Sequence, residues 1–237
     1  ISGHAPWSNG YESMIYIAWA SVLAGLLFSK RSDIAFGATA VMAAITLLVA
    51  HMSWMNPEIT TLVPVLKSHW LTFHVAIITA SYGFLGLSAL LGFLNLLLIL
   101  FRYGSIRERM QLLLKQLTAI NEISLVFGLY LLTIGTFLGG IWANESWGRY
   151  WGWDPKETWS LITILVYAFV THMRLIPGFR GIYAINLGAM LAYASVLMTF
   201  FGVNYYLTGL HSYANGDPAP VPDAAFYFLA LLASVAL

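Results

Sequence analysis

The histidines and a dense run of tryptophans are the side chains of this sequence best suited to holding a ligand. Residues 142–159 read WANESWGRYWGWDPKETW, so five of the nine tryptophans, Trp142, Trp147, Trp151, Trp153 and Trp159, fall in one short stretch. Gly148, Gly152, Asp154 and Pro155 are interleaved with them. Indoles bury much area, stack on π-faces and offer an N–H to a polar edge, which suits a large, flat, apolar ligand. Glycines let the backbone approach such a ligand closely. Anchoring at lipid headgroup level accounts for one or two tryptophans; five at this density require a further reason. His74, in HWLTFHV, and His211, in GLHSYANGD, stand far apart in sequence. Two neutral imidazoles facing a porphyrin would give six-coordinate iron.

The elements that must carry these residues are made for lipid. The chain has 237 residues, 59% hydrophobic and 9% charged, with a mean hydropathy of +0.77, whereas a soluble domain carries about 25% charged residues. A formal net charge of +1 offers no basic field for nucleic acid. With no Cys, the chain supplies no disulfide, thiolate metal site or cysteine nucleophile. A span takes roughly 20 apolar residues, and six segments meet this, at about 12–29, 34–52, 70–101, 123–143, 158–173 and 182–203, with a seventh beginning near Ala224 and cut off. These runs lack the two-residue alternation of barrel strands, so an all-α polytopic membrane bundle is expected, forming one domain over residues 1–237. The start without Met and an end inside an apolar run suggest a piece of a longer polypeptide. In the segment 102–122, Met110, Leu113, Leu114 and Leu117 recur at helical spacing among basic residues, which predicts a helix lying on the membrane surface.

Lysine and arginine set the orientation. Lys30, Arg31, Arg102, Arg107, Arg109, Lys115, Arg174 and Arg180 lie in one set of loops, against Lys67, Arg149 and Lys156 in the other. The positive-inside rule then places residues 30–33, 102–122 and 174–181 in the cytoplasm. Residues 142–159 form an external loop, and His4, His51, His69, His74 and His211 are at or near the outer face, with His172 at the cytoplasmic end of its helix. His69 rivals His74 by position, but five residues turn a helix by about 500°, so the two point about 140° apart and would not share one iron. Anionic edges of a ligand need cations, and among the outer basic residues Arg149 is placed first, ahead of Lys156 and Lys67. Asp154, just before Pro155, fits a helix cap at least as well as a ligand contact.

WGRYWGWDPKETWSL resembles the tryptophan-rich WWD signature of the haem-handling family that includes CcsA, CcmC and CcmF. APWSNGYES, NPEITTLVPVLKSHWLTFHV and FFGVNYYLTGLHSYA resemble the CcsA branch, including its fused CcsBA cytochrome c synthases of System II, so the likeness covers most of the chain. The resemblance implies a membrane protein of the bacterial inner membrane that holds haem b, with ferrous iron, on the periplasmic face. His74 and His211 would be the external axial ligands and the residues facing the chemistry. Trp142, Trp147, Trp151, Trp153, Asp154, Trp159 and Arg149 would surround the haem. It further implies that His172 is one of a pair of intramembrane haem ligands, its partner supplied by a CcsB-like portion. The activity implied is that of a haem lyase joining the haem vinyl groups to the cysteines of a Cys-x-x-Cys-His segment of apocytochrome c, coupled to haem export. A delivery subunit of the CcmC kind, a receptor or transporter with an aromatic cage and no metal, and a subunit whose tryptophans only anchor it remain the rival readings.

Overall fold

Each long apolar run closes into a helix because lipid leaves backbone N–H and C=O groups no partner outside their own segment. The computed structural model describes residues 9–52, 57, 67–101, 107–211, 226, 227, 230 and 233–235. Helix α1 spans Gly10–Phe28, α2 Asp33–Ala50, α3 His69–Leu100, α4 Arg107–Trp147, α5 Pro155–His172 and α6 Ile182–Leu197. Five residues of π-helix, Met198–Gly202, then lead into the short α7, Val203–Tyr206. Among the described residues, six helices are long and apolar enough to cross a membrane, the sixth being α6 through α7, Ile182–Tyr206. The seventh run expected near Ala224 lies largely outside the described residues.

Polar caps start several helices. Asn9 accepts from the Glu12 N–H at 2.8 Å and Ser32 from the Ala35 N–H at 3.2 Å. Ser68 accepts from the Trp70 N–H at 3.2 Å and so begins α3. These bonds satisfy donors that a helix N-terminus leaves orphaned.

Helix α4 departs from expectation at both ends. It runs without a break for 41 residues, about 62 Å at 1.5 Å per residue. The segment expected on the membrane surface is instead its first part, from Arg107 onward. Leu114 and Leu117 are buried, and Leu117 and Ile120 pack with Phe28, Ala35, Leu87 and Leu91. The amphipathic stripe is therefore satisfied inside the chain. At the other end α4 continues through Trp142 to Trp147, so the stretch expected as a loop, 142–159, is the end of one helix, a short turn and the start of the next.

A buried polar cluster ties α3, α4 and α6 together. Asn95 and Asn121 both donate to Asn186 Oδ1, at 2.7 and 2.8 Å. Asn186 in turn donates to Thr118 at 3.0 Å, and Ser88 donates to Asn121 at 2.5 Å. All three asparagines are fully buried. Apolar packing discriminates poorly between helix registers in lipid, whereas these directional hydrogen bonds favour one register, although Asn95 Oδ1 is left without a partner among the described residues. Gly92 lets α3 approach so closely that a Cβ there would overlap the Asn186 carbonyl.

Arg174, just beyond α5, pairs with Glu122 of α4. The 20-residue rise from Glu122 to Trp142 along α4 is about 30 Å, the thickness of a hydrocarbon core. His172 therefore lies at the end of the bundle opposite His74, the tryptophans and His211, as the charge count requires.

Candidate functional site

Three helix ends and one following segment meet at one end of the bundle. His74 sits in the second turn of α3, and the closing turns of α4 bring Trp142 and Trp147. Asp154 opens α5, and His211 follows α7. The His74 ring stacks on Trp142, centroids 6.2 Å apart and planes 13° from parallel. His211 meets Trp142 at 5.5 Å and Trp147 at 4.9 Å, both edge-on. The two indoles meet each other at 4.8 Å. Trp142 is fully buried, at 1% exposure. The imidazoles thus converge on one indole-walled site although the sequence separates them widely.

Both rings are held in the same tautomer. His74 Nδ1 lies 2.7 Å from the Gly135 carbonyl of α4. A carbonyl can only accept, so Nδ1 carries the proton and Nε2 keeps its lone pair. His211 Nδ1 lies 2.9 Å from Asp154 Oδ1, with the same consequence. A second partner on the far nitrogen orients a histidine for metal and makes it a stronger ligand. Gly139 makes room for His74 against α4, since a Cβ there would overlap the imidazole. Burial pushes the proton affinity of His211 below the ordinary histidine value, and this outweighs the opposing attraction of Asp154. The neutral, ligating form is favoured.

Asp154 does more than cap. Its Oδ1 accepts from the Lys156 N–H at 3.0 Å and its Oδ2 from the Leu210 N–H at 2.6 Å. Glu157 completes a capping box, taking the Gly152 N–H at 2.7 Å and the Asp154 N–H at 3.2 Å. One carboxylate therefore starts α5 and holds the His211 segment against it. Gly209 permits this contact, because a Cβ there would overlap Asp154 Oδ2. The capping role is legible in the order Asp-Pro-Lys-Glu; the grip on His211 is not, because the partners lie 57 residues apart.

The remaining tryptophans divide differently from expectation. Trp151 and Trp153 form their own perpendicular pair at 5.8 Å. Trp153 is 69% exposed and adopts a φ of +58°, a left-handed conformation that costs an ordinary side chain about 1–2 kcal/mol. Trp159 lies within α5, where its carbonyl accepts from Thr163 and Thr199. Among the described residues, no ring contact joins these three to either histidine. Arg149 folds its guanidinium over Gly152, where a Cβ would overlap it. Arg149 Nη1 is buried and has no hydrogen-bond partner among the described residues.

The other histidines separate from the site. His69, the positional rival, is exposed at the first position of α3, and His51 is exposed at the end of α2. His4 lies outside the described residues. His172 is exposed on the bundle, its Nδ1 2.7 Å from the Ala168 carbonyl, so it too keeps Nε2 free. Among the described residues no group of three or more His, Asp and Glu forms a metal site.

The fold and site define a polytopic helical membrane protein with paired neutral imidazoles against a cluster of indoles at one end of the bundle. The family model described as cytochrome C assembly protein matches residues 7–211. The chain is 56% identical over 220 residues to Protein NrfI of Wolinella succinogenes, which covers 93% of this chain and 24% of that protein. It is 36% identical over 250 residues to the cytochrome c biogenesis protein CcsA of Prochlorococcus marinus, covering 90% of this chain and 77% of that protein. With CcsA of Chlamydomonas reinhardtii it shares 36% over 222 residues, 90% of this chain and 62% of that protein. The chain belongs to the cytochrome c assembly family and is a CcsA-like cytochrome c biogenesis protein.

Proposed function

We propose that this chain holds haem b at the outer face of a bacterial inner membrane, with His74 and His211 as axial ligands, and presents it to apocytochrome c for covalent attachment. The observation that carries the reading is the matched pair of imidazoles on one indole wall, each with Nδ1 hydrogen-bonded and Nε2 free. The donor set fits haem: two neutral nitrogen ligands, flat aromatic walls, and the buried, unpartnered Nη1 of Arg149 as a donor for a propionate.

Haem is the substrate to be joined, and its vinyl groups receive the thiols of a Cys-x-x-Cys-His segment. Because this chain has no Cys, both thiols belong to apocytochrome c. The chain's contribution is position. The Gly135 carbonyl and the Asp154 carboxylate fix the two imidazoles, Trp142 and Trp147 exclude water from them, and the exposed Trp153 and Tyr150 border the face open to a polypeptide. The substrate's histidine can replace one external imidazole on the iron, which loosens the product from the site. This is haem lyase activity, with the ferrous iron that a ligating thiol segment needs.

His172 supports a second role, in haem export. It is exposed at the opposite end of the bundle with Nε2 free, so its partner ligand would come from a CcsB-like portion lying against α5, in lipid. The first-named relative is far longer than this chain, which accommodates such a portion.

The test is the absorption spectrum of the purified protein carrying His74→Gly, His211→Gly or both, before and after added imidazole. The expected result is loss of the bis-imidazole spectrum in each variant and its recovery with imidazole. An unchanged spectrum in the double variant rules out these two ligands.

A further inference from the structure

The first turn of α5 holds a residue that local rules disfavour. Lys156 follows Pro155 directly, where the exposed N–H groups of a helix repel a cation. A local rule broken without local gain marks a position held for another purpose. The neighbouring Asp154 and Glu157 obey the rule and make the capping box; Lys156 does not.

The Lys156 side chain turns inward. Its Nζ donates to Asn204 Oδ1 at 2.5 Å. Asn204 is itself oriented, since its Nδ2 donates to the Phe200 carbonyl at 2.7 Å. That leaves Oδ1 as the end facing the ammonium. The π-helix Met198–Gly202 lies just before Asn204, and such insertions recur at functional sites because they re-aim the residues that follow. The ammonium is within electrostatic reach of both His74 and His211.

Its charge is answered only in part, by the nearby Asp154 carboxylate. An ammonium has three donors, and one is taken by Asn204. Among the described residues no carboxylate forms an ion pair with Lys156; Arg174 pairs with Glu122, and Asp154 accepts a hydrogen bond from the neutral His211. Asp154 is already committed to the Lys156 and Leu210 N–H groups and to His211. A half-buried cation beside two neutral imidazoles, with two donors left over, is suited to an anion carried by the ligand.

We propose that Lys156, oriented by Asn204, is the seat for one carboxylate of the bound ligand, a haem propionate, and so fixes how the porphyrin is rotated between the two histidines. The inference rests on the haem reading of the site. It gives Lys156 the place for which sequence order favoured Arg149, and leaves the unpartnered Arg149 for the second carboxylate.

The test compares haem with its dimethyl ester, in which both carboxylates are neutral, by titrating each into the purified full-length protein and following the Soret band. Wild type is expected to prefer haem over the diester. Lys156→Gln is expected to reduce that preference about tenfold by weakening haem alone, and Lys156→Arg to preserve it. Asn204→Ala is expected to reduce it in the same direction. Equal weakening of both ligands by Lys156→Gln overturns the proposal in favour of a purely structural lysine, as does an unchanged preference. A wild-type protein that shows no Soret band with either ligand overturns the haem reading itself, a result distinct from both.

Discussion

Replacing Asp154 by Asn separates the two tasks of that residue. Asn and Asp are comparable N-caps, so the variant keeps an oxygen for the Lys156 N–H and leaves the start of α5 intact. What it loses is the second acceptor. The carboxylate serves the Leu210 N–H at 2.6 Å and His211 Nδ1 at 2.9 Å through different oxygens. Oδ1 also holds the Lys156 N–H, so an amide that keeps its oxygen there leaves His211 a weaker, neutral acceptor and turns its NH2 toward the Leu210 N–H, which releases the segment carrying His211 from α5. A hydrogen bond to a charged group is worth about 1.5–3 kcal/mol, and the loss of a ligand's orienting partner lowers metal affinity roughly 10- to 100-fold. Haem affinity of Asp154→Asn, measured by Soret titration, should therefore fall about 10- to 100-fold while thermal stability without haem changes by about 1 kcal/mol or less. Asp154→Ser, which caps but is too short to reach His211, should lose affinity similarly. Wild-type affinity in both variants would refute the claim that this carboxylate orients His211 and leave it as a cap alone.

Four further outcomes follow from the same contacts. Gly139→Val should displace the His74 imidazole, costing about 1–3 kcal/mol by overpacking and removing most haem absorbance from a protein that still inserts and folds. Asn186→Leu should strand the buried donors of Asn95 and Asn121, at about 1–3 kcal/mol each, seen as a lower melting temperature in detergent. Trp153→Gly relieves a φ of +58°, so stability should hold or rise by about 1 kcal/mol while cytochrome c maturation in cells falls, because an exposed indole is removed from the open face. Burial lowers the proton affinity of His211, so between its folded value and the ordinary 6.5 the unfolded chain binds more protons and stability rises with pH. Apo-protein stability should thus decline as pH falls below about 6.5, and His211→Gln should flatten that slope in a denaturation series.

The membrane class, the six described spans and the end of the bundle at which each described histidine sits were legible because each depends on local composition: apolar length, basic loops, and the absence of alternation. The tryptophan cluster was legible for the same reason, and so was the helix cap at Asp154; the reciprocal part of Glu157 appeared only in the structure. The ends of α4 were not. Residues 107–122 carry an amphipathic pattern that a membrane surface or a neighbouring helix satisfies equally, and only the packing of Leu117 and Ile120 against α1, α2 and α3 decides between them. Trp142 and Trp147 lie in a stretch whose Gly and Asp suggest a loop, yet α4 continues through them because its hydrogen-bond ladder is unbroken as far as Trp147.

By itself the sequence determined which residues could serve the site and which of them share one end of the bundle. Tertiary structure decided which of them meet. His74 rather than His69 faces the indole wall, and Asp154 reaches His211 rather than serving only its own helix. Lys156 joins Asn204 instead of the nearest carboxylate. Each of these choices joins groups distant in the chain, so it depends on how α3, α4, α5 and α7 are set against one another. The buried Asn95, Asn121 and Asn186 contribute to that setting of the helices, because their directional hydrogen bonds tie α3, α4 and α6 to one another.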